Sequence, residues 1–307
     1  MAALTDKQRE LIYGITSNSP REVIRALARD VLEEDTSIKN CDFVRRELSR
    51  LNAMKIEPEN DIPGKLKGMV NYFDNKSFRE DRYYLSPREE ELYKKILNFK
   101  NITDKMNDLG IPYVNSAMLT GDSGTGKTTF VQFLSKKFDI PMYYINFSWL
   151  IDSKLGQSSQ NIREVFQFAR EHNCILMLDE IDCVARERNK GGACEHEFSN
   201  MTITILQELD QLRSNVILIA ATNVPELIDK AVLRRFSIIH EVIKPTYNEI
   251  KEMTDKYQKS INMQLYSNSE LEDFAKKNEG QPQSRIINSI IEKVVEKLSK
   301  EELLWKQ

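Results

Sequence analysis

One octapeptide constrains this chain more than any other stretch. Gly121-Asp122-Ser123-Gly124-Thr125-Gly126-Lys127-Thr128 fits the pattern GxxxxGK[ST] at every position. The short apolar run Ala117-Met118-Leu119 precedes it, and a helical pattern from Thr128 to Phe138 follows. It therefore joins a strand to a helix, the one context in which the pattern carries chemistry. Glycines there let the backbone wrap closely around phosphate groups, so that successive N–H groups and the helix N-terminus face negative charge. Lys127 is placed to reach β- and γ-phosphates, and the Thr128 hydroxyl to coordinate Mg²⁺. Thr129 follows in the same turn and is counted with the nucleotide-binding residues.

A second element matches the first. Ile175-Leu176-Met177-Leu178 is a continuous apolar run that ends in Asp179-Glu180, 52 residues beyond Lys127. A buried strand ending in two acids sets carboxylates at the carboxyl edge of a sheet, where α/β folds bind ligands. Asp179 is then a metal-shell residue. Glu180 is the candidate to orient or deprotonate an attacking water, because phosphoryl transfer needs an aligned nucleophile more than covalent help.

The rest of the chain gives these motifs a frame. Short apolar runs recur at Met142–Ile145, Val216–Ala221 and Ile238–Val242, separated by helical patterns at Pro87–Phe99, Asn161–Glu171 and about 198–212. Unbroken apolar strands alternating with helices predict a parallel sheet covered on both faces, five-stranded here. After Pro245 only helices are predicted, the last with Ile286, Ile287, Ile290, Ile291, Val294, Val295 and Leu298 on one apolar face. Residues 1 to about 55 read as helical, and 55–81 as a linker or irregular segment. The expected division is a mainly helical N-terminal region over 1–80, an α/β nucleotide-binding unit over 81–245 and a helical lid over 246–307.

Quoted in order, further motifs carry a family resemblance. They are Ile145-Asn146-Phe147-Ser148-Trp149-Leu150, Ser153-Lys154-Leu155-Gly156, Asn161-Ile162-Arg163-Glu164-Val165-Phe166, Leu178-Asp179-Glu180-Ile181-Asp182, Ala220-Ala221-Thr222-Asn223-Val224-Pro225 and Ala231-Val232-Leu233-Arg234-Arg235-Phe236. Together with the glycine-rich loop, their order and spacing resemble the AAA+ ATPases, near the classical AAA branch, over residues about 85–307. The resemblance implies an α/β P-loop fold, Mg-dependent hydrolysis of ATP, and assembly into a hexameric ring or open spiral. It gives Asn223 the role of a polar residue that positions water against the γ-phosphate, and Asn146 that of gating Glu180. Arg234 and Arg235 match the arginine-finger segment, which acts on a neighbouring subunit's nucleotide.

Two departures qualify the resemblance. Peptide-threading relatives carry an aromatic in the pore loop, whereas Lys154-Leu155-Gly156 has none. The last helix is preceded by Gly280-Gln281-Pro282-Gln283-Ser284-Arg285 in place of a Gly-Ala-Asp-like step; Arg285 there resembles the sensor-2 arginine of other AAA+ branches, which implies a contact to the γ-phosphate in cis. Cys174, Cys183, Cys194 and His196 lack the paired spacing of a zinc site.

Composition bounds the function class. Lys plus Arg total 44 against 47 Asp plus Glu, for a net charge of −3, so the chain as a whole has no basic footprint for nucleic acid. Residues 1–80 carry 14 basic and 14 acidic side chains, and 246–307 carry 10 and 11, so neither flank adds one. No apolar run reaches the ~20 residues that span a bilayer. Four cysteines without a close-spaced framework predict reduced thiols and a cytoplasmic protein. The expected function is an ATP-driven, homo-oligomeric remodeller of a protein partner. The alternative is a nucleic-acid-directed ATPase of transposition, replication or mobile-element defence.

Overall fold

The computed structural model describes residues 5–16, 21–34, 62–111, 114–145, 147–151, 157–185, 193–212 and 215–304. At the N-terminus α1 (Asp6–Thr16) packs on α2 (Arg21–Glu34), and Lys7 pairs with Glu34 at 3.4 Å.

The sheet holds six strands, β1 (Val70–Phe73), β2 (Asn115–Thr120), β3 (Met142–Ile145), β4 (Cys174–Leu178), β5 (Val216–Thr222) and β6 (Ile238–Glu241), in the order β1-β3-β4-β5-β2-β6. β2 to β6 pair in parallel, as the alternating pattern predicts. β1 adds an antiparallel edge to β3, with Val70 opposite Ile145 and Phe73 opposite Met142. It lies inside the stretch that the sequence reads as irregular. Four residues with only Val70 fully buried are too short to stand out from their turn-rich flanks.

Helices cover both faces. The chain runs through α3 (Pro87–Asp108), α4 (Lys127–Phe138), α5 (Phe147–Ile151), α6 (Ser158–Arg170) and α7 (Ala193–Leu209). Successive strand residues go to opposite cores, as the period of two requires. Ala117, Leu119, Met177 and Ile219 pack with Leu92 and Ile96 of α3 and with Phe130 and Leu134 of α4. Met118, Leu176, Leu178 and Leu218 pack with Ile162 and Phe166 of α6 and with Met201 and Ile205 of α7. α3 runs to Asp108, past the expected end at Phe99, because nothing breaks the pattern before Gly110, whose φ is +71°.

After the short α8 (Lys230–Leu233) and β6, the lid consists of α9 (Tyr247–Ser260), α10 (Asn268–Asn278) and α11 (Gln283–Leu304). Thr246 with Glu249 and Ser267 with Glu270 form reciprocal caps that start α9 and α10. The lid core is small: Ile250, Met253, Leu265, Ala275, Ile286 and Ile290. The expected single apolar face of α11 is therefore split. Ile286 and Ile290 are buried, but Ile291, Val295 and Leu298 stay 42%, 57% and 45% exposed, because two partner helices cannot cover so wide a stripe.

Candidate nucleotide site

Sheet order brings the motifs together. β5 lies between β4 and β2, so Asn223, just past β5, stands between Asp179-Glu180 and the glycine-rich loop. The buried Lys127 records this arrangement: its Nζ donates to Gly121 O at 2.7 Å, Asp122 O at 2.9 Å and Asn223 Oδ1 at 2.6 Å. Burial pulls the Lys127 amine below its ordinary value, against the opposing pull of Asp179, Asp122, Asp182 and Glu180. The Thr128 hydroxyl donates to Asp179 Oδ2 at 2.9 Å, which sets two oxygens that could hold a metal side by side. Hard, oxygen-only donors fit Mg²⁺ better than a softer transition metal.

Backbone geometry shapes the loop. Gly121 has φ +137°, and a Cβ there would lie 2.2 Å from Val242 O in the backbone leaving β6. Gly126 has φ +105°, which only glycine adopts without strain. Glu180 also sits in the left-handed region, at φ 52° and ψ 42°, with its N–H donated to Asp179 Oδ1 at 3.0 Å. A non-glycine residue held there is strained, and the exposed Glu180 side chain faces the cleft.

The cleft measures about 240 Å³ and is lined by Ser123, Gly124, Gly126, Lys127, Thr128, Thr129, Asp179, Glu180 and Asn223, together with Gln283, Ser284 and Ile287 from the lid. Asp122 and Thr125 turn elsewhere. Asp122 pairs with Lys244 at 2.8 Å, which holds its carboxyl below the usual range, and Thr125 Oγ1 donates to Asp122 O. Arg234 and Arg235, at the end of α8, do not line the cleft. Arg235 is engaged by Asp210 through two bonds of 3.1 Å and by Ala231 O at 3.0 Å. Arg234 is exposed, and among the described residues its guanidinium makes no ion pair or hydrogen bond. Arg285 is exposed too and donates to Gln281 Oε1 at 3.1 Å, away from the cleft. Asn146 and the segment Lys154-Leu155-Gly156 lie outside the described residues.

Several residues escaped the sequence reading. Thr222 Oγ1 donates to Asp182 Oδ1 at 2.8 Å and accepts from Val224 N at 3.0 Å, which fixes the turn that presents Asn223. Ser284 N donates to Gly124 O at 3.0 Å, so the lid helix touches the loop directly. Next to the cleft, Tyr84, His240, Val242, Met253 and Gln283 join Thr125 of the loop in lining a second pocket. Only tertiary contact reveals these roles. No local pattern marks a lid residue as a neighbour of a loop some 160 residues earlier.

Comparison with known proteins agrees with the geometry. The family described as ATPase family associated with various cellular activities (AAA) matches residues 117–243, which span the loop, both carboxylates, Asn223 and the Arg pair. These residues form an AAA ATPase domain. An uncharacterized AAA family ATPase, y4kL, of Sinorhizobium fredii is 25% identical over 272 residues, 82% of either chain. The ATP-dependent zinc metalloprotease FtsH of Parabacteroides distasonis is 33% identical over 199 residues, 62% of this chain but 29% of that one. The mitochondrial inner membrane m-AAA protease component AFG3L1 of Mus musculus is 35% identical over 144 residues, 45% of this chain and 18% of that one. The chain thus spans less than a third of the length of these two proteases. The chemistry of the AAA domain is ATP hydrolysis. Among the described residues no helix is long and apolar enough to cross a membrane.

Proposed function

We propose that this chain is an ATP-driven remodeller that works as a homo-oligomer, a ring or open spiral, on a protein partner. The observation that carries the reading is the state of Arg234. A cation with no partner among the described residues, on the domain that holds the phosphate cleft yet outside the cleft's own wall, is suited to a neighbour's nucleotide. The names of the protease relatives add support, since "ATP-dependent" proteolysis couples the segment shared with this chain to work on proteins.

Within one subunit, the loop N–H groups and Lys127 bind the phosphates. The second pocket, beside the hinge to the lid, takes the base. Thr128 and Asp179 hold Mg²⁺, which supplies charge neutralisation at the phosphates. Glu180 aligns or deprotonates the water and Asn223 steadies it, with Asn146 gating Glu180. Arg234 of the adjoining subunit adds positive charge as the γ-phosphoryl group departs, an effect worth ~10³ or more in rate.

Mixing tests the reading. An R234A/R235A double variant should bind nucleotide and hydrolyse poorly, then regain activity with K127A subunits, which lack a working cleft but carry intact fingers. Sedimentation with a slowly hydrolysed ATP analogue should show the oligomer. A strictly monomeric species whose specific activity ignores concentration would refute it. Stimulation by duplex or single-stranded DNA, without any effect of co-purifying proteins, would replace the protein partner with a nucleic acid.

A further inference from the structure

Gln283, the first residue of α11, lines both the phosphate cleft and the pocket beside it that Tyr84, Val242 and Met253 help to form. Its carboxamide oxygen lies over the loop, where a Cβ on Gly126 would come within 1.9 Å of it. Its amide nitrogen has one bonding partner among the described residues, the Met253 thioether at 3.9 Å. A thioether is a weak acceptor, so among the described residues no strong partner holds the half-buried carboxamide in place and it is free to turn toward a ligand. The side chain is half-buried between the two compartments that a nucleotide's phosphates and base would occupy.

We propose that Gln283 reads the base of the bound nucleotide. The inference rests on the ATPase reading above and adds what that reading leaves open, the selection of adenine. A carboxamide presents one acceptor and one donor side by side. Adenine's N6 amino group and N7 present the complementary donor and acceptor, so two bonds form at once. Guanine offers two acceptors, O6 and N7, on the same edge, which leaves one bond and sets the Gln283 carbonyl against O6. Swinging off the weak Met253 contact costs the side chain little, and the bidentate pair replaces water on both partners. Discrimination of about 5- to 150-fold is expected from one such pair.

The test is calorimetric binding of ADP, GDP and inorganic tripolyphosphate to the full chain and to two variants. Q283L keeps the side chain's bulk without its polar atoms, and Q283M keeps its unbranched length without them. The expected result is that the wild type prefers ADP to GDP, and that both variants lower ADP affinity about 5- to 150-fold. Tripolyphosphate should stay within about twofold, so that the ADP preference collapses. An equal loss for all three ligands would assign Gln283 to packing. An equal loss for ADP and GDP with tripolyphosphate spared would assign it to the sugar. An unchanged ADP-to-GDP ratio would leave it no role. Each of these overturns the proposal while the ATPase reading stands. Failure of that reading looks different: the wild type would bind none of the three ligands in a Lys127-dependent way, and the inference would fall with it.

Discussion

Arg234 and Arg235 are adjacent in sequence and unlike in surroundings, so replacing them one at a time by alanine separates assembly chemistry from local structure. Arg235 holds Asp210 bidentately at 3.1 Å and Ala231 O at 3.0 Å. The pair is largely exposed, so its net worth is at most about 1 kcal/mol. To act on a neighbour Arg235 would first give up those bonds, a handicap of about fivefold. Arg234 has no such tie among the described residues. A finger contributes ~10³ to 10⁵ in turnover, roughly 4 to 7 kcal/mol, well above anything the Asp210 pair can supply. R234A should therefore lose ~10³ or more in kcat at saturating protein and ATP, with its thermal midpoint within about 1 °C of wild type. R235A should stay within about tenfold in kcat and melt lower by no more than about 2–4 °C, the shift that ~1 kcal/mol gives in a domain of this size. Steady-state ATP turnover and thermal unfolding on the same preparations give both readouts. A collapse of kcat in R235A with R234A near wild type would reverse the assignment, and near-wild-type kcat in both would end the trans-acting argument.

Three further perturbations follow from the cleft. E180Q should keep ATP binding and lose ~10² or more in the chemical step, because Lys127, Thr128 and Asp179 are untouched; equal rates for variant and wild type would remove Glu180 from the reaction. Lys127 has its pKa lowered by burial, so in the unliganded native state it binds fewer protons than in the unfolded chain just below pH 10.5, and stability rises with pH through that window. Phosphate binding should reverse the shift, so ATP binding just below pH 10.5 should take up a proton, seen as buffer-dependent calorimetric heats; uptake that persists in K127R, which stays charged, would place the titration elsewhere. G121A should damage nucleotide binding more than G126A does. Its Cβ meets the Val242 backbone at 2.2 Å, while that of G126A meets the movable end of Gln283. G126A combined with Q283A should cost less than the sum by about 1 kcal/mol, and strict additivity would mean that the two residues do not touch.

How much of this was legible in the sequence depends on the range over which each signal acts. The glycine-rich loop and Asp179-Glu180 were readable because their chemistry is local: tight turns and a strand end need particular residues in consecutive positions. β2 to β5 were readable because strands buried on both faces leave apolar text, whereas β6, with only Ile238 of its four residues buried, left a weaker run. β1 was not, since a four-residue edge strand with one side open needs no such text. α11 was half readable. Periodicity located the helix, but how much of its stripe is covered depends on how many helices pack there, and Ile291, Val295 and Leu298 remain exposed. The site divides along the same line. Thr222 and Asp182, 40 residues apart, cooperate through one hydrogen bond that presents Asn223. Gln283 and Gly126 meet only because the lid folds back over the loop, and Ser284 N closes that contact on Gly124 O at 3.0 Å. Val242 presses its backbone on the same loop from the strand that leads into the lid, and Lys244 pairs with Asp122 just beyond it. The loop is thus gripped at Gly121 and Asp122 by the lid's hinge and at Gly124 and Gly126 by the lid's last helix. A ligand that spreads the loop must move both grips together. That gives phosphate binding a direct mechanical path to the lid, and it explains why the loop's glycines are needed here for the lid's approach as much as for the phosphates.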